Sequence, residues 1–254
     1  MRPAVPAVDD RSVLIDVALV PAEARRWRDA VCIVIDELRA SSTIVTLLER
    51  GAAAVVPAAN VAEARRLAAG TTALLAGERN VIRAPGFDFG NSPTEIDGAD
   101  LAGRSVVLST RNGNAVMRAL RPETVVLVGC LLNARACAGA ALDLAREGGR
   151  MIGVVCAGRG GTFAMDDALT AGCLVDGLLA AADDAVELTD AARAAHQLWR
   201  ATPDIGAAFR ASASGRQLAR HEFGADLEYC LTVNASAVVP ELRRTIPPRI
   251  ERLA

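Results

Sequence analysis

Short, uninterrupted apolar runs recur along the chain, and a stretch with helical spacing follows most of them. Val13–Val17, Val31–Ile35, Ala53–Val56, Thr72–Ala76, Ser105–Ser109, Thr124–Val128 and Met151–Cys156 read as strands. The helices predicted among them are Ser41–Arg50, Val61–Ala69, Asn114–Leu120, Ala134–Glu147 and Asp166–Ala181. Ser41 or Ser42 is the expected N-cap of the first, and Gly51, Gly70 and Gly148-Gly149 are expected to close three of them. Strands that are apolar on both faces must be covered on both. The pattern therefore predicts a three-layer α/β/α fold with a largely parallel or mixed sheet.

After Asp183 the rhythm changes. Glu187–Ala201 and Ile205–Ser212 have helical spacing, and the next strand is expected only at Leu231–Val233. No linker-like composition interrupts the chain, so residues 1–254 are read as one domain, with a helical excursion over 183–225 packed on it. The longest irregular stretch, Arg79–Gly103, is dense in turn formers. A loop of that length in a compact domain is expected to be functional.

Composition removes several function classes. The 28 basic residues, all arginine, meet 30 acidic ones for a net charge of −2, which argues against a nucleic-acid binder. With no lysine in the chain, a Schiff-base or Walker-type lysine chemistry is excluded. The cysteines are scattered through apolar runs without a C-x-x-C pair, as expected of buried free thiols in a reducing compartment. The amino-terminal dozen residues lack a leader-like apolar core, and no apolar run is long enough to span a bilayer. A cytoplasmic protein without membrane contact is the expectation.

Ligands of open α/β sheets bind beyond the carboxyl ends of the strands, and polar residues crowd there. Asp36 and Arg39 follow one strand, Glu78 and Arg79 another. Asn112 and Gly113 follow a third, Asn133 a fourth, and Arg159 and Gly160 a fifth, ahead of Asp166 and Asp167 at a helix start. Carboxylates set among arginines and helix N-termini suit a divalent cation with an anionic substrate. Each group also has a plain structural use: Asp36 as a cap, Asp166-Asp167 as dipole partners, Asn91-Ser92-Pro93 and Asn112-Gly113 as turns. Neither the cysteine-phosphatase loop nor G-x-S-x-G nor G-x-G-x-x-G occurs. The aspartyl-phosphate pattern D-x-D fails because Leu38 stands at its second aspartate position, so metal-activated water is favoured over a phosphoaspartate.

In order along residues 30–240, the segments IDELRASSTIV, AGER, GFDFGNSPTE, STRNGNA, GCLLNA and CAGRGGTFAMDDALTAG together resemble the 2-phosphosulfolactate phosphatase family. A weaker match is DLEYC, Asp226–Cys230. The resemblance implies a Mg²⁺-dependent phosphomonoesterase of the coenzyme M biosynthesis type. Asp36, Asp167 and Asp88 would be catalytic, and Asp36, Glu78, Asp166 and Asp167 would hold the metal. Arg39, Arg79, Asn91, Ser92, Asn112, Gly113, Asn133, Arg159 and Gly160 would bind a small anionic phosphorylated substrate; a homodimer is left open. The chain departs from the family pattern at Glu37, usually a small apolar residue, at Arg111 and Asn114, and at Asp166, usually glutamate. The competing class is a protein that binds a phosphorylated or sulfonated metabolite without turnover.

Overall fold

The computed structural model describes residues 12–182 and 186–254. The leader reading of residues 1–11 and the start of the excursion at Asp183 lie outside the described residues. In chain order the first half comprises β1 (Val13–Ala18), a 3₁₀ turn (Pro21–Arg26), β2 (Ala30–Ile35), α1 (Ala40–Glu49), β3 (Ala54–Ala58), α2 (Val61–Ala68), β4 (Leu74–Arg79), β5 (Ile82–Arg83) and α3 (Pro93–Asp97). The centre holds β6 (Ser105–Ser109), α4 (Asn112–Ala119), β7 (Val125–Val128), α5 (Ala134–Gly148), β8 (Met151–Cys156) and α6 (Met165–Ala181). There follow β9 (Val186–Leu188), α7 (Asp190–Arg200), α8 (Ile205–Ala211), α9 (Ala213–Arg220), α10 (Gly224–Cys230), β10 (Pro240–Arg243) and β11 (Arg249–Arg252).

All the strands join one mixed sheet, in the order β5-β4-β6-β3-β11-β10-β7-β2-β8-β1-β9. It consists of two parallel blocks. β9, β1, β8, β2 and β7 run one way, and β3, β6 and β4 run the other. The antiparallel hairpin β10–β11 lies between them, β10 against β7 and β11 against β3. Twist of about 20–25° per strand accumulates to about 100–125° over the five steps from β2 to β6. The carboxyl ends of the two blocks thereby turn toward each other.

Both faces of the sheet are covered, as three layers require. Ile44, Leu47 and Leu48 of α1 with Met117 of α4 bury against Val55, Val106, Val126 and Ile250. On the other face α5 and α6 bury Leu142, Leu169 and Leu174 against Ile15, Ile33, Ile152 and Val154. A smaller cluster seats Ala64 of α2 on Val56 and Val107. All six cysteines are buried and free, and burial pushes the Cys137 thiol up to about 12.

The structure corrects several sequence expectations. α1 starts at Ala40 with Arg39 as its cap residue. Ser41 instead turns its Oγ back to accept the Asp36 N–H at 2.9 Å. The stretch Arg79–Gly103 contains the β4–β5 hairpin and α3, whose N-cap Ser92 accepts from the Glu95 N–H. Glu187, read as helical, sits in edge strand β9, and the helix begins after the cap residue Thr189. Leu231 is a turn residue, and the last strands are β10 and β11. α7, α8 and α9 of the excursion pack on α6, while α10 packs on α3.

One aspartate ties the β1 edge together. Asp16 accepts from Arg26 Nη2 at 2.6 Å, Trp27 Nε1 at 2.9 Å, Thr189 Oγ1 at 2.7 Å and the Val17 N–H at 2.9 Å. The Trp27 ring lies so close over Gly153 that a Cβ there would approach Cζ3 to 2.3 Å. Burial pushes the Asp16 carboxyl up, but the bonds from Thr189, Arg26 and Trp27 outweigh it and leave the pKa below its ordinary value. A depressed pKa stabilises the fold above about pH 4, and that contribution is lost as the pH falls through the folded-state value. Asp16→Asn is expected to cost about 1–3 kcal/mol at pH 7. Urea melts of both proteins between pH 7 and pH 3 should show that deficit shrinking toward acid.

Candidate active site

β2 ends at Ile35, and the chain turns sharply into α1 through Asp36-Glu37-Leu38-Arg39. β8 ends at Cys156 and turns into α6 through a glycine-rich loop. Asp167, in the first turn of α6, joins the two. Its Oδ1 accepts the Glu37 N–H at 2.9 Å and its Oδ2 the Gly158 N–H at 2.7 Å. The loop needs glycine, because Gly158 has φ +65° and a Cβ there would meet Thr162 O at 2.1 Å.

From the other block comes α4. Its Gly113 N–H donates to Asp36 Oδ2 at 2.7 Å, so the loop after β6 reaches the loop after β2. Asn112 Oδ1 accepts the Gly160 N–H at 3.3 Å and closes the ring of loops. Arg159 is exposed over this rim and bonds Gln217 at 3.0 Å. Arg111 is also exposed and reaches Asn80 Oδ1 at 3.4 Å.

The enclosed carboxylates repel one another. Burial, with the charges of Asp166 and Glu78, pushes Asp36 up to about 6 against the pull of the Gly113 N–H. Burial likewise raises Asp166, an effect softened by its own backbone N–H, by Ser214 and Ser212, and by the Arg159 charge. Asp167 is raised by burial and then by Asp166 and Asp36. Asp166 is 2% exposed and its Oδ1 has no hydrogen-bond partner. Beneath them Glu37 is fully buried. Its Oε2 accepts from Thr170 Oγ1 at 3.0 Å and the Leu131 N–H at 3.1 Å. Burial above all pushes it up to about 8.

Among the described residues, no three His, Cys, Asp or Glu side chains converge on one metal position. Glu78 Oε2 already accepts the Val81 N–H at 2.6 Å, and both oxygens of Asp167 are engaged. Asp36 and Asp166, with its orphaned oxygen, are left facing the site. Two carboxylates suit Mg²⁺, which takes one or two and keeps its remaining waters.

The other sequence-chosen residues fall elsewhere. Arg39 is buried and pairs with Asp226. It also donates to Val81 O at 3.0 Å and lies 4.3 Å from the Phe223 ring centroid. Asp226 further accepts from Ser92 Oγ at 2.7 Å and the Thr94 N–H at 3.2 Å. Arg39, Asn91 and Ser92 thus line a separate groove of about 560 Å³. Asp88 is exposed and its Oδ2 caps the Leu75 N–H at 2.8 Å, at the start of β4 rather than at its carboxyl end. Asn133 is fully buried and fastens the Cys130 N–H, Val128 O and Val238 O. Arg79 is exposed in the β4–β5 hairpin, paired with Ile82. The network residues Asp226 and Glu37 were missed. Their only marks in the sequence were Glu37 as a departure from the family pattern and Asp226 in the weakly matching DLEYC segment.

A profile of the 2-phosphosulpholactate phosphatase family matches residues 18–245. The chain belongs to that family. It is 42% identical to a probable 2-phosphosulfolactate phosphatase of Deinococcus radiodurans, over 84% of this chain and 87% of that one. The probable 2-phosphosulfolactate phosphatase of Thermus thermophilus is 38% identical, over 89% and 93%. That of Carboxydothermus hydrogenoformans is 34% identical, over 89% and 92%. Members of the 2-phosphosulfolactate phosphatase family are hydrolases, and the ring of loops at the sheet's carboxyl ends is where this member concentrates its ionisable groups.

Two predictions separate holding from acting. Asp167→Asn turns an amide N–H toward one of two backbone donors and should cost about 1–3 kcal/mol. Asp166→Asn removes a buried charge with an unpartnered oxygen and should leave stability unchanged or raise it, while lowering phosphatase activity; thermal melts with parallel assays read both. Arg39→Ala strands Asp226 without its partner and should destabilise by about 3–5 kcal/mol in denaturant titration.

Proposed function

We propose that the chain is a Mg²⁺-dependent phosphatase that converts 2-phospho-3-sulfolactate to 3-sulfolactate and phosphate. The observation that carries this reading is the Asp36–Asp166 pair, a half-buried and a buried carboxylate close enough to repel, on a rim of backbone N–H groups and arginines. Such a pair is costly unless a cation and an anion complete it. The relatives named above carry the substrate in their own names. The chain shows no helix, among the described residues, long and apolar enough to cross a membrane, and its small-molecule site needs no membrane.

Asp36 and Asp166 would hold the metal. When bound, Mg²⁺ supplies positive charge against the phosphoryl oxygens. The chain's own groups do the rest. Arg159 and Arg111 stand over the rim, where guanidiniums take carboxylate and sulfonate oxygens. The amino end of α6 would favour the phosphate's negative charge. Asp36 must be ionised to hold the cation, which sets the acid limb of the activity. Water adds to phosphorus, the P–O ester bond breaks, and the released oxygen takes a proton, giving the alcohol and inorganic phosphate.

Chelation by EDTA is expected to abolish phosphate release, and added Mg²⁺ to restore it. Asp36→Asn should lower kcat by at least about a hundredfold in a folded protein. Because the Asp36 pKa lies above its ordinary value, the ionised form is lost as the pH falls through about 6. Activity at fixed low Mg²⁺ should therefore decline below that pH. Undiminished release in thorough chelation, or a flat profile down to pH 5, contradicts the mechanism.

A further inference from the structure

Next to the Asn112–Gly160 rim lies a cavity with no carboxylate in its lining. It has a volume of about 390 Å³ and opens between the 3₁₀ turn, α4 and the glycine loop. Ala115, Val116 and Ala119 of α4, with Leu120 just after it, form one wall, and Pro21 and Ala22 of the turn form the other. At the site end it is bounded by Asn112 and Gly160, the pair whose hydrogen bond closes the ring of loops. Gly113, next to Asn112, is the residue that donates to Asp36. Arg25 and Arg111 flank the space, and both are exposed.

An alkyl or aryl group fits this lining, whereas a sulfonate would lose its water against alanine, valine and leucine. The volume is that of a small-molecule pocket rather than of a protein contact. The arginines favour an occupant that is anionic where it leaves the apolar walls. We infer that the cavity receives a hydrocarbon arm of a phosphomonoester, so that this chain accepts amphipathic alkyl or aryl phosphates beyond the small acidic ester. The inference rests on the phosphatase reading for the position of the phosphate. The bond broken is the same P–O ester bond, and the arm leaves as the alcohol.

The test uses the whole chain with Mg²⁺ and a series of n-alkyl phosphates from ethyl to hexyl, followed by calorimetry and by phosphate release. Burial of successive methylenes should tighten binding about three- to fourfold each, about a hundredfold across the series. Ala119→Trp and, from the opposite wall, Ala22→Trp should each abolish that gain and leave ethyl phosphate binding unchanged. Both positions are on the surface, and a melt confirms folding. Affinity that is flat with chain length, or a gain that persists in both variants, overturns the inference. Release of phosphate without chain-length dependence keeps the phosphatase reading and removes the cavity from it. Chain-length-dependent binding without any release supports the cavity and removes the hydrolysis.

Discussion

The site depends on one carboxylate that accepts two backbone N–H groups from different loops. Asp167 holds the turn after β2 through Glu37 and the turn after β8 through Gly158. Neither turn belongs to a regular element, so neither N–H has a ladder or helix partner to fall back on. Once both are pinned, Asp36 is fixed in place and Asp166, one residue before Asp167, is carried to the same side. Rigid support of this kind is what a reacting constellation requires, because small displacements of its groups are costly.

That support holds like charges together, and the fold offsets only part of the repulsion. The α6 amino end, the Gly113 N–H and the Arg159 charge all favour the ionised forms, yet Asp36, Asp166 and Asp167 remain above their ordinary pKa values. Glu37 serves as a hydrogen-bonded plug between α1, α6 and the start of the Leu131–Asn133 turn. Residues that strain a stable fold in this way are the ones whose retention calls for a functional reason.

Strands β2, β3, β7 and β8 were legible because they are almost wholly buried and carry no charged residue, whereas edge strand β9, with Glu187 in it, read as helix. The hairpin β10–β11 was not legible either, since Pro240-Glu241-Leu242-Arg243 and Arg249-Ile250-Glu251-Arg252 alternate charge with single buried residues and read as surface. In the site, residue type at a strand end located Asp36, Asp166, Asp167, Asn112 and Gly113 together. It could not distinguish a group that faces a ligand from one that fastens a loop. Asp88 and Asn133 are fasteners of neighbouring backbone, and Arg39 spends its charge on Asp226, which lies far away in sequence. Only three-dimensional proximity reveals such a pairing.

The place of that hairpin also shapes how the protein comes into being. Strands β10 and β11, which come after all the others in chain order, occupy the middle of the sheet, so β7 and β3 have no neighbour on their facing edges until residues 240–252 are in place. Two half-sheets with open edges must wait for Pro240–Arg243 and Arg249–Arg252, and open edges invite pairing with other chains. Folding is therefore set by contacts that are distant in sequence, which are slow to form. Loss of the hairpin would bare the facing edges of β7 and β3, far from any residue of the reaction.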